Sequence, residues 1–388
     1  MKSAIVGIGS SGCGKFNVPA LQIMRQVFYS ALKDVGIKAN EIDALIVCPA
    51  TIGDSRFMYA HYLAAELDIK NLSFCGTTST GGAGPVSGIL LADLLIRTNT
   101  AKTVAVVAAD TLASLGGKEM LLRIGKAINH PEYQDFSRPV IPLLYNRVAE
   151  WHMAKYGTKR EALAAVPVLM SIQARNHPLA MNKKVFTLEG ILSSLPVGSV
   201  TTVLECARPA DGGGAVIVMR EDKAKNLKQK PVYILGGGEA SGSPFHPPEV
   251  SEEIFPAKRA VKTALQNARM QITDMRWWGI YDCFPISFLK FAEDSRMVAK
   301  GDSGPWVEEL LKLYKDPDCA KGNFCINTHG GLLSYGAPWE APAIFSIIEA
   351  VEQIRGDAND HQIENPSPAL IYGNGGIFTS AAVAILSA

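Results

Sequence analysis

The chain has 388 residues, 47% of them hydrophobic and 19% charged, enough for one large or two medium domains with ample core. A formal net charge of +1 gives no electrostatic footprint for nucleic acid or an anionic membrane surface, and no apolar run approaches the length of a membrane span. Seven scattered cysteines (Cys13, Cys48, Cys75, Cys206, Cys283, Cys319 and Cys325) fit free thiols in a reducing compartment better than a disulfide framework.

A strand over Ala4 to Ile8 begins almost at once, so no secretory signal is expected. The first 33 residues carry Lys2, Lys15, Arg25 and Lys33 with no acid, a bias that suits organellar import and equally an ordinary cationic surface. Helical periodicity runs from Ala20 to Val35, with Leu21, Met24, Val27, Phe28, Ala31, Leu32 and Val35 on one face. A strand over Ile42 to Val47 and a helix over Met58 to Leu67 follow. The stretch from Asn71 to Leu95 is the centre of the chain. A short apolar piece leads into the turn Thr77-Thr78-Ser79-Thr80-Gly81-Gly82, and then into a helix apolar or small on every side, with no charge before Asp93. A helix of that kind belongs in the middle of a large domain, and a hydroxyl ahead of it sits over free amides and the positive end of a dipole. The same pattern also describes a structural turn before a core helix. Thr103 to Ala109 then reads as a buried strand.

From about Thr111 to Val203 charges, prolines and aromatics become frequent and the helices (Leu143 to Tyr156, Lys159 to Arg175) are amphipathic, as in an insertion lying over a core. Strand character resumes at Gly214 to Met219, and the charged run Glu221 to Lys230 reads as a linker. The second half then repeats the first. Pro231 to Gly238 resembles the opening strand, and Ala31, Leu32, Ile37, Ile42 and Val47 lie over Ala264, Leu265, Met270, Met275 and Ile280 at a constant spacing of 233 residues. Ala341 to Ile354 takes the place of the central helix, with strands at Ala369 to Tyr372 and Ala381 to Leu386. Strands alternating with helices, twice over, predict an α/β fold of two similar halves.

Several motifs carry chemistry. Gly7 to Gly12 fits G-x-G-x-x-G and Gly9 to Lys15 fits G-x-x-x-x-G-K. Phe16 stands where a phosphate loop needs Ser or Thr, and Pro19 delays the helix that a dinucleotide site needs at once, so both matches are weak. Tyr281-Asp282-Cys283-Phe284 ends the strand Trp277 to Ile280, where catalytic groups of α/β proteins gather, although a buried free Cys is often inert. Asn327 to Pro338 and Tyr372 to Gly376 are two more Gly-rich loops, able to bring backbone amides up to a ligand.

With these residues in view, the chain resembles the thiolases, specifically the sterol-carrier-protein type, over almost its whole length. Asp211-Gly212-Gly213-Gly214-Ala215 matches D-G-A-A-A, Asn327 with Gly330 and Gly331 matches N-x-x-G-G, Gly336-Ala337-Pro338 matches G-H-P, and Tyr281 to Phe284 matches H-D-C-F in the Y-D-C-F form of a thiolase-like subgroup. The resemblance implies a five-layered α/β/α/β/α stack of duplicated βαβαβ halves. The first half would be 1–110 with 204–222, the helical loop domain 111–203, and the second half 230–388. It also implies a homodimer, a coenzyme A thioester as ligand with no further cofactor or metal, and a place in mitochondrial lipid metabolism. The acyl-accepting Cys of the family falls at Ser79 (Thr78 if the loop is slipped by one), the G-H-P histidine at Ala337, the second loop cysteine at Tyr372 or Gly373, and the H-D-C-F histidine at Tyr281. Cys283, a proton shuttle in the family, survives.

A Ser hydroxyl without an adjacent base is a poor nucleophile, while oxyanion donors made of backbone amides, here Ser79 and Gly375, survive side-chain replacement. The expected site is therefore Ser79, Cys283 and Tyr281 as reacting groups, with Gly375, Asn327, His329 and Ala337 around the substrate and His329 as a candidate base. The expected function is weak acyl transfer or decarboxylation of a short 3-oxoacyl- or malonyl-CoA through an enolate. A non-catalytic acyl-CoA sensor or assembly subunit is the alternative, and a degradative thiolase with Cys283 as nucleophile a third.

Overall fold

In the computed structural model, which describes residues 2–243, 249–315 and 324–388, nine strands form one hydrogen-bonded series. Cys319 lies outside those residues. The strands are β1 (Ser3–Gly14), β2 (Ala44–Cys48), β3 (Phe74–Thr77), β4 (Thr103–Thr111), β5 (Asp211–Arg220), β6 (Val232–Ser241), β7 (Trp277–Gly279), β8 (Ala369–Gly375) and β9 (Ser380–Ser387), in the order β3-β2-β4-β5-β1-β6-β9-β8-β7.

The two halves share one topology. In the first half β3, β2 and β4 run parallel while β5 is antiparallel to both β4 and β1. In the second, Ile326 bridges β7 in parallel, β7 is parallel to β8, and β9 is antiparallel to both β8 and β6. Both opening strands carry a register shift at the same point, Ile5/Gly7 and Ile234/Gly236. The halves meet where β1 pairs with β6 at Ala4↔Tyr233 and Ile5↔Val232.

Side chains of the first half alternate between two buried faces, as strands covered on both sides must. Leu45, Val47, Ala105, Val107 and Ile217 pack with α1 (Ala20–Val35) and α2 (Tyr59–Glu66), whereas Ile46, Val104, Val106 and Val218 pack on the inner face with α3 (Gly84–Arg97). The helix α1 ends at Gly36, whose φ of 77° lets its N–H close on the Leu32 carbonyl.

Residues after β4 supply α4 (Gly117–Ile128), α5 (Val140–Tyr156), α6 (Arg160–Ala174) and the short α7 (Leu188–Leu192), lying over the core before β5. A four-residue α8 (Glu221–Ala224) follows. It opens the segment read as a linker, with Ala224 buried and the Glu221 N–H donating to the Lys2 carbonyl at 3.0 Å. The second half adds α9 (Ala257–Ala268), α10 (Pro285–Asp294), α11 (Ser303–Tyr314) and α12 (Ala343–Arg355). Helix α3 touches strands of both halves and also α12, so these two helices form the middle layer of the α/β/α/β/α stack.

The Gly7 to Gly12 stretch is not a loop. It lies inside β1, paired to β5, and its glycines admit α1: a Cβ on Gly7 would come 2.5 Å from the Ala31 carbonyl oxygen. Gly236 meets α9 in the same way, 2.7 Å from the Ala264 oxygen. Helix packing explains the glycine spacing, and no phosphate-binding turn exists there.

Candidate active site

Three segments, two of them Gly-rich, converge at the carboxyl ends of the strands, the place where α/β proteins hold ligands. The first is the turn after β3. The Thr78 N–H donates to the Val47 carbonyl (3.0 Å) and its hydroxyl to the Gly84 carbonyl (3.1 Å), which fixes the entry into α3. The Thr80 hydroxyl lies 3.3 Å from that of Ser87 on the first turns of α3. Gly81 takes a φ of 61° and faces the second segment at the end of β8, where an added Cβ would sit 2.8 Å from Gly375 Cα. A Cβ on Gly82 would overlap the Tyr281 hydroxyl and approach the Asn374 carbonyl oxygen to 2.6 Å. Only glycine lets a phenol, a strand end and a helix entry come this close.

The third segment is Tyr281 to Phe284 at the end of β7. Asn327 holds it in place. Its Oδ1 accepts from the Ile280 N–H (2.8 Å) and its Nδ2 donates to the Ile280 carbonyl (2.9 Å), with no exposed surface left. Buried Asp282 accepts from the Leu332 N–H (2.7 Å) and so ties the segment to the π-helical turn Gly331–Tyr335. Burial pushes its carboxyl up to about 7 despite the opposing backbone hydrogen bonds.

Cys283 is 8% exposed, and burial raises its thiol to about 11, opposed by hydrogen bonds with Ser287 and Tyr145. Tyr145 reaches in from α5. Its hydroxyl donates to the Gly376 carbonyl (3.0 Å) and accepts from Asn374 Nδ2 (2.7 Å), while its ring stacks on Phe284 at 4.4 Å. Tyr372 stacks on Phe291 at 4.0 Å and points its hydroxyl at Asn374 Oδ1, 3.3 Å away. Burial first, and the nearby thiol second, hold Tyr145 and Tyr281 far above the usual phenol value; burial does the same for Tyr372. The centre is thus a thiol among three phenols, all protonated near neutral pH.

A family model described as thiolase C-terminal domain-like matches residues 247–388. The acetyl-CoA acetyltransferase of Methanothermobacter thermautotrophicus is 27% identical over 387 residues, covering 99% of both chains. Sterol carrier protein 2 of Oryctolagus cuniculus is 28% identical over 245 residues, 62% of this chain and 44% of that protein. Among solved structures, an Ltp2-ChsH2(DUF35) aldolase superposes with a TM-score of 0.83 at 22% identity, over 100% of this chain and 98% of that one. The chain is thus similar to thiolase-superfamily proteins over its full length and carries a thiolase C-terminal-like domain at residues 247–388.

Within this thiolase frame the expected site residues separate into two groups. Gly375 and Tyr281 meet the turn that carries Ser79, and Cys283 and Tyr281 feel one another's charge. Ser79 itself is exposed at the rim. Asn327 spends both ends of its amide on the Ile280 main chain, so it positions the Tyr281 segment instead of presenting a free group. Ala337 is half-buried, and its main chain is taken up by the segment before β5: its N–H donates to the Arg208 carbonyl and its carbonyl accepts from Ala210.

His329 is not at this centre. Gly330, with a φ of 104°, turns the chain over α6, and the His329 ring packs 5.3 Å from that of Tyr335. Burial drives its pKa down to about 3 against the pull of Glu349, with His177 and His361 adding to the fall, and its Nδ1 is buried without a hydrogen-bond partner. The role of base for Ser79 is therefore corrected.

Among the described residues, His177, Glu349 and His361 form one group whose ligand atoms lie within 4.8 Å of one another. Its chemistry suits hydrogen bonding better than a cation. The Leu179 N–H donates to His177 Nδ1 (3.2 Å), so a neutral His177 carries its proton on Nε2, the atom that faces Glu349 at 3.4 Å. Glu349 Oε1 also accepts from Thr328 and from Gln353 (2.9 Å).

Sequence reasoning did not find Tyr145, Asn374 or Glu340. Tyr145 is 138 positions from Cys283 and sits in an amphipathic helix that reads as surface. Glu340 did leave a signal, a carboxylate between Pro338 and Pro342 in an otherwise apolar run.

Proposed function

We propose that this chain binds a coenzyme A thioester and makes or breaks the carbon–carbon bond beside the thioester through an enolate, without a covalent acyl-enzyme. The observation that carries the reading is the contact of Gly81 and Gly82 with Gly375 and the Tyr281 hydroxyl. In this reading the main-chain amides of the turn and of Gly375, with the protonated Tyr281 phenol, stabilise the charge that develops on the thioester oxygen. The substrates proposed are a short 3-oxoacyl-CoA, whose acyl group passes directly to the thiol of free coenzyme A, or malonyl-CoA, which loses CO2, both turned over weakly. Tyr281 donates to the carbonyl and Cys283 moves the proton. A buried thiol raised to about 11 suits proton donation to a carbanion better than nucleophilic attack.

Exchange of the α-protons of acetyl-CoA in D2O tests the reading, because every enolate route includes that step. Deuterium at C2, followed by mass spectrometry, is the expected result. Acetyl-CoA recovered without deuterium, yet bound in calorimetry, selects the non-catalytic acyl-CoA sensor or assembly subunit. An acyl group trapped on Cys283 would instead favour the degradative thiolase.

A second reading is aldol cleavage of a 3-hydroxyacyl-CoA, which passes through the same enolate. It is favoured by Tyr281 at the position where the family resemblance places His, and by the loss of the second loop cysteine, which falls at Tyr372 or Gly373. The similar solved structure at TM-score 0.83 is an aldolase. Release of an aldehyde or ketone from 3-hydroxyacyl-CoA, with 3-oxoacyl-CoA inert, would select it.

The homodimer belongs to the same proposal. The open edge of β3 and the exposed Phe57 (86%), Met58 and Tyr62 support it, and light scattering at twice the monomer mass is the expected outcome. Mitochondrial placement rests on the family resemblance, and import into isolated mitochondria tests it.

A further inference from the structure

Glu340 lies three residues beyond Ala337 on the loop that leads into α12, and its carboxyl is buried beside the turn after β3. Oε1 accepts from the Thr51 hydroxyl at 2.9 Å. Burial raises its carboxyl above the ordinary value, opposed by the Thr51 hydroxyl, the Trp339 indole and the Gly81 N–H, and Oε2 is buried without a hydrogen-bond partner. No Lys, Arg or His forms a salt bridge with it among the described residues. A buried carboxyl with one free oxygen and no cation is costly, and a structural role for it would be served as well by Gln.

Its place is informative. Gly81 touches the Glu340 carboxyl on one side and Gly375 on the other, and the next residue, Gly82, touches the Tyr281 hydroxyl. Tyr281 feels both Cys283 and Glu340. An acid–base group therefore stands on one flank of the proposed oxyanion site and a thiol on the other. The imidazole that the resemblance expects is lost at Ala337, and His329 faces elsewhere.

We propose that Glu340 is the catalytic base of this site and occupies, in function, the position vacated at Ala337. The inference rests on the enolate reading above. As a carboxylate it removes a proton from C2 of the bound thioester: the O–H bond forms as the C2–H bond breaks, and the electron pair passes to the thioester oxygen, held by main-chain amides and Tyr281. The reverse step returns a proton or deuteron from the carboxylic acid to C2, and the acid exchanges with water between turnovers. Glu340 and Cys283 then divide the work: Glu340 takes and returns the C2 proton of acetyl-CoA, and Cys283 protonates the carbanion left when a carboxyl or acyl group departs.

The test is α-proton exchange of acetyl-CoA in D2O across pH, with wild type, Glu340→Gln and Thr51→Val. Gln keeps the size of the side chain and its contacts with Thr51 and Gly81. For wild type the exchange rate is expected to climb with pH and level off as Glu340 ionises. In Glu340→Gln that limb disappears and the rate falls by about 100-fold or more, with coenzyme A affinity and melting temperature retained. Thr51→Val removes a hydrogen bond that favours the carboxylate, so the limb moves to higher pH. This second variant keeps the inference testable should Glu340→Gln fold poorly. Wild-type and Glu340→Gln chains exchanging alike, or a Thr51→Val profile that does not move, overturns the inference alone. Wild type without any exchange overturns the enolate reading and Glu340 with it.

Discussion

The Tyr281 hydroxyl occupies the space that a Cβ on Gly82 would need, so the last residue of the β3 turn and the first residue of the Y-D-C-F segment are fitted to each other. Gly82→Ala is expected to cost about 1–3 kcal/mol by overpacking, since the Asn374 carbonyl blocks retreat on the other side. Tyr281→Phe does not rescue it, because the ring carbon that bears the hydroxyl overlaps the same space. Thermal melts of the two single variants and the double variant check this. A Gly82→Ala variant as stable as wild type would show that the three segments do not meet.

Removing only the hydroxyl separates chemistry from packing. Tyr281→Phe keeps the buried ring and should melt near wild type, while acetyl-CoA exchange drops by about 10²–10³-fold, the usual cost of one oxyanion donor. Equal exchange in the two chains would take Tyr281 out of the reaction.

Much of the fold could be read from the chain, and the reason is periodicity. Helix α1 is bounded in the sequence as it is in the structure, because apolar residues recur on one face and Gly36 ends it. The 233-residue spacing between Ala31 and Ala264 holds because α1 and α9 pack on equivalent strands at Gly7 and Gly236. Those same glycines mislead when read as a phosphate loop, since a small residue under a helix and a small residue under a phosphate look alike in sequence. Helix α4 was not legible: only Gly125 in it is buried, so its pattern has little core to report. Parts of the site were legible where neighbouring residues make a motif, as in Tyr281 to Phe284. Partners brought in from afar, such as Tyr145 on Gly376, leave no local trace.

Asn327 illustrates a residue whose type is readable and whose task is not. Both ends of its amide are spent on Ile280. Asn327→Ala leaves a buried N–H and a buried carbonyl without partners, at about 1–3 kcal/mol each. The melting temperature should fall, and exchange activity with it, because the Tyr281 segment loosens. Unchanged stability with lost coenzyme A binding would reassign Asn327 to the ligand.

Cys283 should react slowly. Burial holds its thiol up to about 11, so the thiolate is scarce at neutral pH. Alkylation of the folded chain by iodoacetamide, located by mass spectrometry, is expected to be minimal at pH 7 and to rise steeply only as the pH nears that value. Cys283→Ala should lower decarboxylation of malonyl-CoA by about 10²–10⁴-fold if the thiol delivers the proton. Rapid labelling at pH 7 would point to an activated nucleophile.

The His177–Glu349–His361 group governs stability with a definite sign. Burial alone would raise the Glu349 carboxyl, but hydrogen bonds from His177 and His361 carry it well below its ordinary value of 4.5. Burial alone would lower His361, but the hydrogen bond and charge of Glu349 carry it above its ordinary 6.5. The Glu349 contribution is present above the ordinary carboxylate value and is lost as pH falls through its depressed folded value. The His361 contribution is complete below 6.5 and is lost as pH rises through the raised folded value. The group therefore supports the fold most fully between 4.5 and 6.5. A decline in melting temperature above that window is expected in wild type and is absent in His361→Gln, which starts about 1.5–3 kcal/mol less stable at low pH through loss of a charged hydrogen bond. Because His177 Nε2 carries a proton toward Glu349, neither a chelator nor added zinc should move the melting curve. A rise with zinc would make the three residues a metal site and reverse the assignment of that proton.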